Sequence, residues 1–183
     1  MMPRKPAAAL IALLLALCLV ACGGGGGGSG KSSGSAAKPP TPPTPPPSGS
    51  SMSDAERNLA LEVLDIVNAE RNAAGAPPLE WHEGAAEVAY LHSLDMDVRD
   101  FFDHTNPDGE LPWDRLTAAG IAWSQVGENI AYGYPTPAAV MDGWMNSPGH
   151  RANILNGNYT HLGIGVHDNG LTIWWTQVFL VPR

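Results

Sequence analysis

The sequence predicts an α+β fold, with helices packed on a small sheet, on two observations. Helical periodicities occupy the first part of the globular region, and two strand-like runs close the chain. Ser53-Asp54-Ala55-Glu56 has the spacing of a capping box, and Leu59, Val63, Ile66 and Val67 then recur at helical intervals, predicting a helix to about Ala74 that stops at Gly75. Pro77-Pro78 breaks the chain. A second helix is expected with Val88, Leu91, Leu94, Val98 and Phe101 on its inward stripe and His92 and Met96 at the flank. Asn106-Pro107-Asp108-Gly109 marks a turn, and a short helix over Trp113 to Ala119 ends at Gly120.

Thr136-Pro137 places an N-cap before a proline at the first helical position, and opens a helix holding Val140 and Trp144 that ends at Ser147-Pro148-Gly149. A further helix is expected to start near His150. Leu162, Ile164 and Val166 alternate with Gly163 and Gly165. After a turn at Asp168-Asn169-Gly170, the run Leu171 to Val181 is almost continuously apolar. On the first of these strands His161 and His167 stand opposite the apolar set, which places them toward solvent or at a cleft rim. His82 and His92 are expected at the surface or flank, and the tryptophans in the core or lining a groove.

The 183 residues leave room for one domain with tails, and the charge is segregated along them. All four basic residues before position 52 stand without an acidic neighbour. From Met52 onward there are six Arg, no Lys and eighteen Asp plus Glu, a balance of 6 − 18 = −12. So acidic a domain has no footprint for phosphate backbones, which excludes nucleic acid as a partner and argues against docking on anionic lipid.

The N-terminus supplies a different route to a membrane. Arg4 and Lys5 precede an apolar run from Ala7 to Val20, 14 residues long. That is short of the roughly 20 residues a bilayer span needs, and suits the apolar core of a signal peptide. The run ends in Leu19-Val20-Ala21-Cys22, which resembles the bacterial lipobox. The resemblance implies a signal peptide over residues 1–21, lipidation of Cys22 with acyl chains such as palmitate, and an exported cell-envelope lipoprotein. Gly23, where no Asp stands, points by the same resemblance to the outer membrane or cell surface. Residues 22–51 carry the lipidated Cys and a Gly/Ser/Pro linker with no aliphatic side chain larger than Ala, so they are expected to stay disordered. The folded domain then occupies residues 52–183, expected as a monomer. Cys18 and Cys22 are the only cysteines, so this domain has no disulfide, thiolate metal site or cysteine nucleophile.

The folded part has no nucleophile elbow, P-loop or dinucleotide-binding glycine motif. His82-Glu83 could begin a zincin motif, but Ala86 stands where its second His would fall. What remains are polar residues in apolar company: His104 after Phe101-Phe102-Asp103, Glu128 in Val126-Gly127-Glu128-Asn129-Ile130, and His150 in Ser147-Pro148-Gly149-His150. Two imidazoles and a carboxylate can offer Zn²⁺ or Mg²⁺ three ligands and leave a position for water.

Phe101-Phe102-Asp103-His104, Gly127-Glu128-Asn129-Ile130-Ala131, Trp144 through Leu155 and Trp175-Thr176-Gln177-Val178-Phe179 occur in that order, after Asn68-Ala69-Glu70-Arg71 and Pro78-Leu79-Glu80-Trp81. Across residues 57–180 the chain resembles the bacterial branch of the CAP superfamily, named for cysteine-rich secretory proteins, antigen 5 and pathogenesis-related proteins and also called SCP-like. The resemblance implies a three-layer α-β-α sandwich with a small antiparallel sheet between helices. It also implies a cleft in which two His and two Glu hold a divalent cation. His104 and Glu128 match two of the four; Ser147 and Trp174 stand where the second Glu and second His would be. Asn129, Ser147 and Trp174 are therefore expected in the cleft, with His150 as a replacement ligand.

Each site residue also has a structural reading. Glu128 and Asn129 can lock a loop between layers, His104 can cap a helix end, and His150 and Arg151 can pair with acidic neighbours. Three functions follow: an extracellular module binding a lipid, glycan or cell-wall ligand; a metal-assisted hydrolase using His104 and Glu128; or a structural envelope protein. The first agrees best with a half-vacated tetrad.

Overall fold

The computed structural model describes residues 50–183; the expected signal peptide, lipobox and nearly all of the linker lie outside the described residues. Helix α1 spans Asp54–Ala73 and begins on the expected capping box. Ser53 accepts from the Glu56 amide through Oγ, and Glu56 Oε2 accepts from the Ser53 amide at 2.7 Å. Strand β1 (Glu80–Trp81), helices α2 (Glu83–Val98) and α3 (Pro112–Ala118), strand β2 (Trp123–Tyr132), helices α4 (Pro137–Met145) and α5 (Pro148–Leu155), and strands β3 (His161–Asp168) and β4 (Ile173–Pro182) follow. Among the described residues no helix is long and apolar enough to cross a membrane.

The strands form one sheet in the order β1-β3-β4-β2. The expected hairpin is β3–β4, pairing His161 with Leu180 and Asp168 with Ile173. Two strands join it: β2 pairs antiparallel with β4, and the short β1 adds a parallel edge to β3. Helices cover both faces, as the three-layer arrangement requires. On one face α1, α4 and α5 bury Val63, Val67, Val140, Trp144 and Ile154 against Leu162, Ile164, Val166, Trp175 and Phe179. On the other, Ala85, Val88 and Ala89 of α2 and Leu116 of α3 close over Val178 and Leu180.

The second face corrects the reading of α2. Leu91 and Leu94 are only half-buried, Val98 is 52 % exposed, and the helix stops at Val98, before Phe101. Val88 is buried as expected, but its buried companions are Ala85, Ala86, Ala89, Tyr90, His92, Ser93, Asp95 and Met96. The cause lies on β3, where Gly163 and Gly165 let the helix approach the sheet. A Cβ on Gly163 would collide with the backbone of Ala85 and Ala86, and one on Gly165 with Ala89 and Tyr90. Such close approach selects small residues on the helix and leaves the larger Leu and Val at its sides. His161 and His167 flank this glycine stripe and are half-buried beside it, with His167 Nε2 3.0 Å from Asp97.

Arg71, fully buried on α1, ties the layers together without a carboxylate. Its guanidinium donates to the carbonyls of Pro77 (2.7 Å), Ile154 (2.7 Å), Asn156 (2.9 Å) and Tyr159 (3.3 Å). The chain end of α5 and the start of β3 are thereby held against α1, and burial lowers the Arg71 pKa from its usual value.

Candidate functional site

Strand alternation sends Glu128 and Asn129 to opposite faces of β2. Glu128 shares its face with Val178 and the α2–α3 layer, and Asn129 shares the other with Gln177 and α5. The loop between α2 and α3 returns beside β2, and Arg115 of α3 holds it there by donating to the carbonyls of His104 (3.0 Å) and Glu110 (2.9 Å). Arg99 anchors the start of the same loop by bridging Asp95 and Asp108.

This packing brings His104 to Glu128. A carboxylate can only accept, so His104 Nδ1–H donates to Oε1 at 2.8 Å, while Arg115 Nη2 donates to Oε2 at 2.6 Å. Glu128 is 2 % exposed at its side chain, Arg115 9 % and His104 47 %. The bond to Glu128 raises the His104 pKa, outweighing partial burial. Behind the pair lies His92, fully buried, with Nε2 donating to the Asp103 carbonyl at 3.0 Å and 3.9 Å from Glu128 Oε1. Burial holds its pKa down at about 4 against the attraction of Glu128, so the ring is neutral near pH 7. His150 sits half-buried on α5, and burial and the neighbouring His104 lower its pKa.

On the other face of β2, Asn129 Nδ2 donates to the His150 carbonyl at 3.1 Å and to Gln177 Oε1 at 3.0 Å. Asn153 donates to Asn129 Oδ1 at 2.9 Å and to the Glu128 carbonyl at 3.1 Å. Asn129 is thus a structural link from β2 to α5 that also sets the backbone of His150.

The expected site residues fare unequally. His104 and Glu128 meet directly, and His150 is their neighbour. Ser147 is the N-cap residue of α5, where its side chain caps nothing. Trp174 lies at the far end of the Glu128 face, paired in register with Tyr132, four residues along β2 from Glu128. His92 moves from the expected flank to full burial. Arg115 was not anticipated from the sequence, although a buried carboxylate in a domain with six Arg and no Lys requires one of those few cations close by.

A divalent cation does not fit these donors. Arg115 places a permanent positive charge 2.6 Å from one oxygen of Glu128, and the His104 N–H occupies the other. Among the described residues no group of three His, Cys, Asp or Glu side chains is placed to hold a metal ion, so the expected His104–Glu128–His150 ligand set is not formed. The physical reason is Arg115, which already neutralises the carboxylate.

The α-β-α sandwich is the fold the sequence motifs implied. The chain belongs to the CAP family: the family model described as the cysteine-rich secretory protein family matches residues 64–179. It is 42 % identical over 131 residues to the protein YkwD of Bacillus subtilis (strain 168), covering 72 % of this chain and 49 % of that one. It is 41 % identical over 119 residues to the membrane protein YlbC of the same organism, covering 65 % of this chain and 33 % of that one. The chain therefore spans half or less of the length of these curated relatives. Among solved structures, an extracellular protein containing an SCP domain from Bacillus anthracis str. Ames superposes with a TM-score of 0.66 at 33 % identity, covering 72 % of this chain and 44 % of that one.

Proposed function

We propose that the protein is an exported, lipid-anchored module of the bacterial cell envelope that binds an envelope ligand rather than turning one over. The observation that carries this reading is the engagement of both Glu128 oxygens. A carboxylate already shared between Arg115 and His104 is poorly placed to serve as a general base or to ligate a metal. Export and anchoring rest on the apolar leader and the lipobox-like Leu19-Val20-Ala21-Cys22. They are supported by the extracellular description of the Bacillus anthracis relative and the membrane description of YlbC. The acidic domain argues against nucleic acid as a partner and leaves cell-wall polymers or proteins.

The test compares the full chain with Cys22→Ser, His104→Ala and Glu128→Gln, reading membrane fractionation and retention on purified peptidoglycan sacculi. Wild-type protein should partition with membranes and Cys22→Ser with the soluble fraction. Retention on sacculi should survive His104→Ala. Hydrolysis of peptides or esters that is lost in both His104→Ala and Glu128→Gln would replace the binding reading with a hydrolytic one.

A further inference from the structure

Two exposed aromatic side chains, Phe102 and Tyr132, gather on the half-buried Trp174 at one corner of the sheet, outside the His104–Glu128 pair. Tyr132 ends β2, 50 % exposed, and stacks on Trp174 of β4 with ring centroids 4.9 Å apart and planes 22° apart. Phe102, 48 % exposed on the loop after α2, meets Tyr132 edge-on at 4.9 Å and Trp174 at 6.4 Å. The indole is fixed from behind, since Trp174 Nε1 donates to Asp97 Oδ1 at 3.1 Å. A set of large apolar rings is thus left partly in water and held in a defined arrangement, although the same chain buries Trp144 and Trp175 completely. Trp174 also stands where the resemblance places the second histidine of the metal tetrad, so the position that forgoes an imidazole carries part of this surface.

The charge around the rings selects among occupants. Asp97 lies beneath Trp174, where it also accepts from His167 and Asn169, and Asp103 follows Phe102 in the chain. The folded part has no lysine. Of its six arginines, Arg57, Arg71, Arg99 and Arg115 are committed to partners named above or, for Arg57, to Glu83, and the other two, Arg151 and Arg183, stand on α5 and at the C-terminus. Carboxylates repel an anionic lipid surface. Aromatic faces backed by carboxylates attract a cation carried on an apolar stem, by the ring quadrupole and by direct charge attraction.

We infer that Phe102, Tyr132 and Trp174 form a binding site for the cationic side chains of a basic polypeptide. The inference deepens the reading of the domain as a binding module and depends on it. Arg and Lys side chains would lay their stems on the rings and direct their charged ends to the aspartates.

The experiment titrates a twelve-residue peptide of alternating Gly and Arg into the full chain at about 150 mM salt, following tryptophan fluorescence and calorimetric heat. Saturable binding is expected. Phe102→Ala and Tyr132→Ala should each weaken it by about fivefold or more, Tyr132→Phe should retain it, and Trp113→Ala, an exposed aromatic outside the trio, should leave it unchanged. Asp103→Asn should weaken it less. Circular dichroism confirms that each variant is folded. The inference is overturned by no binding, by binding unchanged in the folded Phe102→Ala/Tyr132→Ala double variant, or by a neutral Gly-Ser peptide binding as well. A variant-sensitive site that takes cell-wall oligosaccharide and not the basic peptide also overturns it. In that last case, or where sacculi retain a chain that ignores the peptide, the binding-module reading stands without this ligand.

Discussion

Arg115 and Glu128 meet at 2.6 Å with side chains 9 % and 2 % exposed, and this ion pair closes the buried carboxylate from within. Removing the cation leaves a buried charge with only His104 to satisfy it. Arg115→Ala should therefore lower unfolding free energy by about 3–5 kcal/mol. Urea denaturation followed by circular dichroism measures this, and a loss below about 1 kcal/mol would show that water replaces the guanidinium at little cost.

The histidines make stability pH-dependent in two opposite senses. His92 has a depressed pKa of about 4, and His150 is also depressed, so the unfolded chain binds more protons than the folded one as acidity rises. Stability should fall as pH drops from about 6.5 toward 4, and His92→Phe should flatten that slope if the packing tolerates the ring. His104 has a raised pKa, so its contribution is fully present below the unfolded value near 6.5 and is lost as pH rises through the folded value. The stability gap between wild type and His104→Asn should consequently narrow toward alkaline pH. Thermal melts from pH 4 to 9 would show both trends, and a gap that widens with pH would contradict the His104–Glu128 assignment.

Gly165 predicts an overpacking defect. A methyl group there meets the backbone of Ala89 and Tyr90, which cannot yield as a flexible side chain would. Gly165→Ala should cost at least about 1–3 kcal/mol or shift α2 off the sheet. Equilibrium unfolding quantifies the loss; an unchanged midpoint would mean that α2 is not packed as described.

Arg71 tests whether fork geometry or charge is needed at the α1–α5 junction. A lysine keeps the charge but cannot span the four carbonyls. Arg71→Lys should destabilise by about 2–4 kcal/mol, through buried acceptors left unpaired. Wild-type stability in that variant would show that a single cation suffices.

Much of this arrangement was legible in the sequence. The Ser53–Glu56 capping box, Thr136-Pro137 and the β3–β4 hairpin all carry local signals, and all three elements form where expected. On α2 only Val88 of the expected inward stripe is buried, because apolar size does not decide the contact there. Two glycines on a strand remote in sequence made alanine the contact residue, and no periodicity within α2 reveals that. Strand β2 has no legible alternation, because its buried positions include Glu128 and Asn129, whose polarity hides it. His104 and Glu128 were recognisable through motifs, whereas Arg115 became meaningful only once the fold placed its helix beside β2.

The division of Glu128 and Asn129 between the two faces of one strand has a consequence for how the domain comes apart. Glu128 is bonded to side chains from the α2–α3 side, and Asn129 to α5 and β4, so neither helical layer can detach without disturbing the same two adjacent residues. Sub-global opening confined to one layer is thereby disfavoured. The slowest amide protons in α2 and in α1 should report a common opening free energy, through a single cooperative loss of structure, even though their hydrophobic clusters lie on opposite sides of the sheet.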